Sequence, residues 1–88
     1  MLRMKMKVDR IVGCSSVSAI AVLIDDEQNE RSAVLRFDKA QAFSRVQQLD
    51  MLFVQYEHDY ADKLRLVSWY NLTQKKEMQE YERLENKN

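Results

Sequence analysis

The chain has 88 residues, of which 45% are hydrophobic and 32% are charged. This is the composition of a single folded domain rather than of a disordered chain, so we treat residues 1–88 as one domain. Fourteen Lys and Arg residues balance fourteen Asp and Glu residues, which excludes the overall positive charge of a bulk nucleic-acid binder and the acidity of a DNA mimic. Any electrostatic function must therefore be local.

One cysteine, Cys14, excludes an intramolecular disulfide and a multi-cysteine metal cluster, which fits a reducing cytoplasm. The basic amino-terminal segment alternates apolar and charged residues and lacks the apolar run of a signal peptide. No stretch approaches the ~20 apolar residues of a membrane span. We expect a soluble, cytoplasmic protein without membrane contact, and the sequence leaves Met1, Met4 and Met6 open as the natural start.

Three segments in the first part of the chain predict β-strands. Leu2 to Val8 alternates apolar and charged residues, which indicates a strand with one buried and one wet face. The alternation slips at Arg10 to Val12, which indicates a bulge or the end of pairing, and Gly13 to Ser16 supplies turn residues. Val17 to Ile24 and Arg31 to Phe37 predict the second and third strands, joined by a polar connection.

Asp38 to about Tyr60 predicts one long central helix that closes the core. Its apolar residues recur at alternating steps of four and three, the spacing of a core-facing helix. Asp38 is a candidate N-cap, and no Gly or Pro interrupts the pattern. The apolar stripe consists of Ala42, Val46, Leu49, Phe53, Tyr56 and Tyr60.

The remainder of the chain predicts a fourth strand and a final helix. Leu64 to Leu72 has the β-branched and aromatic content of a strand. Thr73 is the candidate cap of a loosely attached helix at about 73–85, whose tail should fray. The predicted fold class is α+β: a small three- or four-stranded, mainly antiparallel sheet packed on one long helix, in the order β-β-β-α-β-α.

No pattern in the sequence points to an enzyme, and we expect neither a cofactor nor a metal. Nucleophilic catalysis needs a base beside the nucleophile, and nothing in the sequence brings Cys14 and His58 together. The chain has one glycine, which excludes a phosphate-binding loop or a dinucleotide fingerprint. The carboxylates between Asp25 and Glu30 lack the spacing of an EF-hand, so they predict a solvated loop tip.

The first functional hypothesis is a small non-enzymatic protein-binding module. An acidic hairpin and apolar residues on a flank of the predicted helix that should be wet favour contact with another protein or self-association, including a dimer. By analogy, such proteins include phage and mobile-element accessory proteins that inhibit or retarget a host macromolecular machine such as a defence nuclease. The candidate partner-binding residues are Asp25, Asp26, Glu27, Glu30, Met51, Val54 and His58.

The alternative hypothesis is a nucleic-acid-binding regulator. Alternation along the predicted strands places basic residues on the sheet face opposite the helix, around one tryptophan. Phosphates would contact the cations while a base stacks on the indole, provided that the indole is exposed and not covered by the final helix. The candidate residues are Lys5, Lys7, Arg36, Arg65 and Trp69.

Overall fold

The computed structural model describes residues 2–37, 45–60, 63–76 and Glu80, and it is dominated by strands. The strands are β1 (Leu2–Cys14), β2 (Ser18–Ile24), β3 (Glu30–Arg36), β4 (Met51–Tyr60) and β5 (Lys63–Asn71). They close into a barrel in the order β1-β2-β3-β5-β4. Neighbours pair antiparallel, with β1 paired to both β2 and β4, except that β3 and β5 run parallel.

The predicted central helix is wrong, and with it the α+β class and the β-β-β-α-β-α order. Residues 51–60 form β4, residues 45–50 form an irregular segment with a turn, and 38–44 lie outside the described residues. Leu52, Val54 and Tyr56 point into the core and alternate with less buried neighbours, which is the period of two of a strand. The core is therefore enclosed by the sheet closing on itself.

Three of the predicted strands are confirmed to within one residue at each end, namely β2, β3 and β5. The predicted slip in β1 is confirmed as a pair of register shifts, between Val8 and Arg10 and between Ile11 and Gly13. Pairing continues to Cys14, so Gly13 lies within the strand instead of starting a turn. Such bulges bend a strand and increase its twist, which lets β1 pair with β4 along its first half and with β2 along its second.

The barrel interior is filled with apolar side chains from all five strands. The buried cluster consists of Met6, Val8, Ala21, Leu23, Ala33, Leu35, Leu52, Val54, Tyr56, Leu64 and Trp69. Since alternate residues of a strand point to opposite faces, the outward residues of the same strands are exposed or half-buried, and the exposed ones include the cations predicted for the outer face. Leu2, which the sequence predicted to face the core, is 55% exposed.

Residues 72–76 are helical, and this short helix follows β5 directly. The side-chain oxygen of Asn71 accepts a hydrogen bond from the Gln74 backbone amide (3.0 Å), as an N-cap does. The predicted cap Thr73 is wrong, because Thr73 lies inside the helical turn and its hydroxyl accepts from the Met51 amide (2.9 Å). The described residues include no helix that is long and apolar enough to cross a membrane.

Candidate functional site

A groove of about 520 Å³ lies on the barrel surface at the seam between β3 and β5. The two strands meet at one bridge, between Ser32 and Lys63. Beyond that bridge no further pairing joins the described residues of the two strands, and the groove opens between them. Its lining residues are Val34, Arg36, Lys63, Leu64, Arg65, Leu66, Val67, Ser68 and Trp69. The seam is thus the one partly open join that the described strands show in an otherwise paired barrel.

The groove is cationic. Arg36, Lys63 and Arg65 line it and are exposed, and the described lining residues include no carboxylate. Within the described part of the chain, none of these cations forms an ion pair. Arg10 on β1, a strand that does not border the groove, is paired instead: its Nη1 lies 2.6 Å from Asp9 and 3.6 Å from Glu30. The groove therefore keeps a local positive potential although the whole chain has a formal net charge of zero.

Exposed aliphatic side chains lie beside these cations. Val34 is 49% exposed and Val67 is 47% exposed, and both line the groove. Ile20, which is 46% exposed, pairs with Val34 across β2 and β3 and extends the apolar strip away from the seam. The site therefore combines an apolar strip with fixed positive charge, which suits a ligand that is both anionic and partly apolar.

Trp69 is buried, with only 7% of its surface exposed, so its ring offers no face for stacking. The indole N–H donates to the Arg36 carbonyl oxygen (3.0 Å), and Phe37 packs edge-on against the ring at 6.4 Å between centroids. The sequence analysis placed Trp69 on the outer face because it assumed unbroken alternation along β5. Val67 is left out of the pairing between Gln55–Ser68 and Tyr56–Leu66, and this bulge moves all later residues to the other face.

The other predicted basic residues lie elsewhere on the barrel. Lys5 and Lys7 are exposed on β1 and line a separate hollow of about 230 Å³ together with Asp25, Asp26 and Met51. Their charge is therefore opposed by nearby carboxylates. The structure brings Arg36 and Arg65 together as predicted, but it divides the predicted basic face into a cationic groove and a mixed-charge hollow.

The acidic hairpin is a structured turn between β2 and β3. Asp25 Oδ1 accepts hydrogen bonds from the backbone amides of Glu27 and Asn29, both at 2.9 Å, and Gln28 takes a left-handed φ of 67°. The bond from the Asn29 amide is the main reason why the pKa of Asp25 lies below its ordinary value. Glu30 lies 3.6 Å from Arg10. Asp25 thus holds the turn, while Asp26 and Glu27 remain exposed.

The two apolar residues of the predicted partner surface, Met51 and Val54, do not form an exposed patch. Val54 is fully buried in the core, so its prediction as a contact residue is wrong. Met51 is half-buried at the start of β4. The backbone of His58 pairs with Arg65, and its side chain lies outside what the structure describes. Cys14 is exposed at the end of β1, and its thiol lies 3.6 Å from the Ser15 carbonyl oxygen.

Lys63 is a groove residue that the sequence analysis missed. It lies two residues before Arg65 and therefore on the same face of β5, so the alternation of that strand was a sufficient signal. The pairing of β3 with β5 could not be found in this way, because parallel neighbours are distant in sequence and no local pattern encodes them.

Comparison with protein-family models, with curated proteins and with solved structures gives no match for this chain.

Proposed function

We propose that this protein is a non-enzymatic, cytosolic binding module for single-stranded nucleic acid. The observation that carries the proposal is the groove between β3 and β5, in which Arg36, Lys63 and Arg65 are exposed, have no ion-pair partner among the described residues and share the lining with no carboxylate. Cations arranged along a groove attract the phosphates of a nucleic-acid backbone, and that attraction does not depend on sequence.

The shape of the groove favours a single strand over a duplex. One flexible strand can enter the opening between two β-strands and leave its sugars and bases against the aliphatic side chains of Val34 and Val67. The helical residues 72–76 are not among the residues that line the groove, so no described helix is placed there to enter a major groove. Among the lining residues, the arginines are suited to phosphates, and few groups are placed to read base edges. We therefore expect weak sequence preference.

The topology gives independent support at the level of architecture. A five-stranded Greek-key barrel is also the arrangement of OB-folds, many of which bind oligonucleotides or oligosaccharides on the face of their second and third strands; the groove residues Val34 and Arg36 lie on the third strand here. Because one architecture serves many unrelated functions, this analogy adds to the argument from the groove and does not replace it.

Binding to another protein is the second candidate function. The exposed apolar residues Ile20, Val34 and Val67 favour it, since an apolar strip beside charged residues also suits a protein partner or a second copy of this chain. Inhibition of a host macromolecular machine, as in a phage accessory protein, belongs to this second proposal. Protein binding receives less support than nucleic-acid binding, because Val54 is buried in the core and the Asp25 carboxylate accepts hydrogen bonds within its own turn.

The proposal is tested by removing single groove cations. We expect Arg36→Gln and Arg65→Gln each to weaken binding of a fluorescent oligothymidylate about tenfold, equivalent to about 1.4 kcal/mol, in anisotropy titrations at low salt. The control is Arg10→Gln, which removes the same charge from an exposed arginine that is already paired with Asp9 and Glu30.

Equal effects of all three substitutions would mean that only net charge matters and would contradict a groove site. No measurable binding by the unmodified chain would reject nucleic-acid binding and leave the protein-binding proposal. Circular dichroism should show that each variant keeps the strand content of the parent chain, because all three side chains are exposed.

A further inference from the structure

Two aromatic side chains lie next to each other on the outer surface of β4 and β5. Phe53 and Tyr70 are partners across these strands, with ring centroids 5.5 Å apart and ring planes tilted by 35°. Tyr70 is 37% exposed and Phe53 is half-buried. The bulge at Val67 that turns Trp69 inward also turns Tyr70 outward. The aromatic pair and the groove therefore share one strand.

Lysines flank this aromatic pair on both sides. Lys75 Nζ lies 5.6 Å from the centroid of the Tyr70 ring. Lys5 is the partner of Phe53 across β1 and β4, and it is exposed. Lys5 also borders the hollow that contains Asp25 and Asp26, so Lys75 is the stronger source of positive potential at the pair. Aromatic rings beside cations provide what a nucleotide needs, a surface for its base and a charge for its phosphate.

The groove and this aromatic pair are adjacent along β5. Val67 lines the groove, and Tyr70 follows it by three residues on the same strand, a distance of at most about 10 Å, since the bulge at Val67 makes the chain less extended. A strand of nucleic acid whose phosphates contact Arg36 and Arg65 would reach Tyr70 on leaving the groove. A pair of rings that only stabilised the sheet would need no such continuity with a cationic groove.

We propose that Phe53 and Tyr70 form a base-stacking subsite at the end of the groove, with Lys75 contacting the adjoining phosphate. This inference rests on the proposed function and adds to it that the ligand is recognised through its bases as well as through its phosphates. Lys75 lies over Tyr70, and its flexible side chain would have to move aside for a base to stack on that ring.

The test compares two probes of about eight nucleotides, a length within the ~4–16 nucleotides that barrels of this size cover. One is oligothymidylate, and the other is an abasic strand with the same number of phosphates. We expect the unmodified chain to bind oligothymidylate more tightly than the abasic strand, by about 5- to 100-fold. Tyr70→Leu and Phe53→Leu should bring the affinity for oligothymidylate down toward that for the abasic strand, whose own affinity should stay unchanged.

The outcomes separate this inference from the proposed function. Equal affinity of the unmodified chain for the two probes, or equal losses for both probes in the leucine variants, would overturn the stacking subsite while leaving the groove proposal intact. Failure of both probes to bind would overturn the proposed function and the subsite together. A second measurement does not depend on variant stability: photocrosslinking of 5-iodouracil strands should label Tyr70 or Phe53, and labelling confined to other residues would contradict the subsite.

Discussion

Asn71 is a fully buried polar residue at the end of β5, and its amide joins three segments of the chain. Its Nδ2 donates to the Arg45 carbonyl oxygen (2.8 Å) and to Asp50 Oδ2 (2.7 Å). Its Oδ1 caps the helical residues 72–76 through the Gln74 amide. Because a buried amide is stable only with its hydrogen bonds formed, Asn71 fixes how the segment 45–50, β5 and the short helix meet.

We predict that Asn71→Leu lowers the free energy of unfolding by about 2–4 kcal/mol. The substitution keeps the branched shape of the side chain, although leucine is larger, but it removes the helix cap and leaves the groups that bonded to the amide without those bonds. Urea denaturation measures the change. The control is Gln48→Leu, which removes one exposed hydrogen bond to the Asp9 carbonyl oxygen and should change stability by less than about 0.5 kcal/mol. Equal losses in the two variants would contradict the assigned role of Asn71.

At the scale of elements, β4 shows why a helical interpretation was possible. Leu49, Phe53, Tyr56 and Tyr60 fit helical spacing, while Leu52, Val54 and Tyr56 fit a strand, and both patterns share Tyr56. The turn before β4 contains no glycine. Leu49 takes the left-handed φ of 74° instead, and the Asp50 carboxylate accepts a hydrogen bond from the Gln47 amide at 2.8 Å. The usual sign of a chain reversal is therefore missing from the sequence.

Substitution by lysine distinguishes the strand from the helix. Val54 was expected on a wet flank of the helix and Phe53 in its apolar stripe, whereas in β4 Val54 is fully buried and Phe53 faces outward, half-buried. We predict that Val54→Lys abolishes cooperative thermal unfolding, because the barrel cannot accommodate an unpaired charge. Phe53→Lys should keep the fold and lower the free energy of unfolding by about 1 kcal/mol, since its side chain faces outward. If circular dichroism melts showed Phe53→Lys to be the less stable of the two variants, the result would contradict the strand and favour the helix.

Strand β5 shows how far local sequence determines the site. Alternation correctly placed Arg65 and Val67 on the outer surface, and the same argument on β3 placed Val34 and Arg36 there. After Val67 the alternation predicted the opposite faces for Trp69 and its neighbours, because a bulge without glycine leaves no mark in the sequence. The groove itself depends on the parallel approach of β3 and β5, which only the closed barrel creates.

At the scale of the whole molecule, equal numbers of cationic and anionic side chains mean that no long-range attraction draws a nucleic acid to the protein. Carboxylates oppose the cations of the hollow that contains Lys5 and Lys7, whereas the described residues that line the groove include no carboxylate. The electrostatic part of binding should therefore come from a few contacts. That number is measurable, because each neutralised phosphate releases counterions and adds to the dependence of affinity on salt.

We predict that the logarithm of the association constant for oligothymidylate falls with the logarithm of salt concentration with a slope of about −2. Three cations line the groove among the described residues, and each contact with a single strand contributes about −0.7 to the slope. A phosphate contact from Lys75 would add one further contribution of that size. Arg65→Gln should make the slope less steep by about 0.7, the contribution of one phosphate contact, and Arg10→Gln should leave the slope unchanged. The measurement is a series of anisotropy titrations at increasing salt concentration. A slope near zero would mean that apolar contacts dominate, as expected if the surface of Ile20, Val34 and Val67 binds a protein instead.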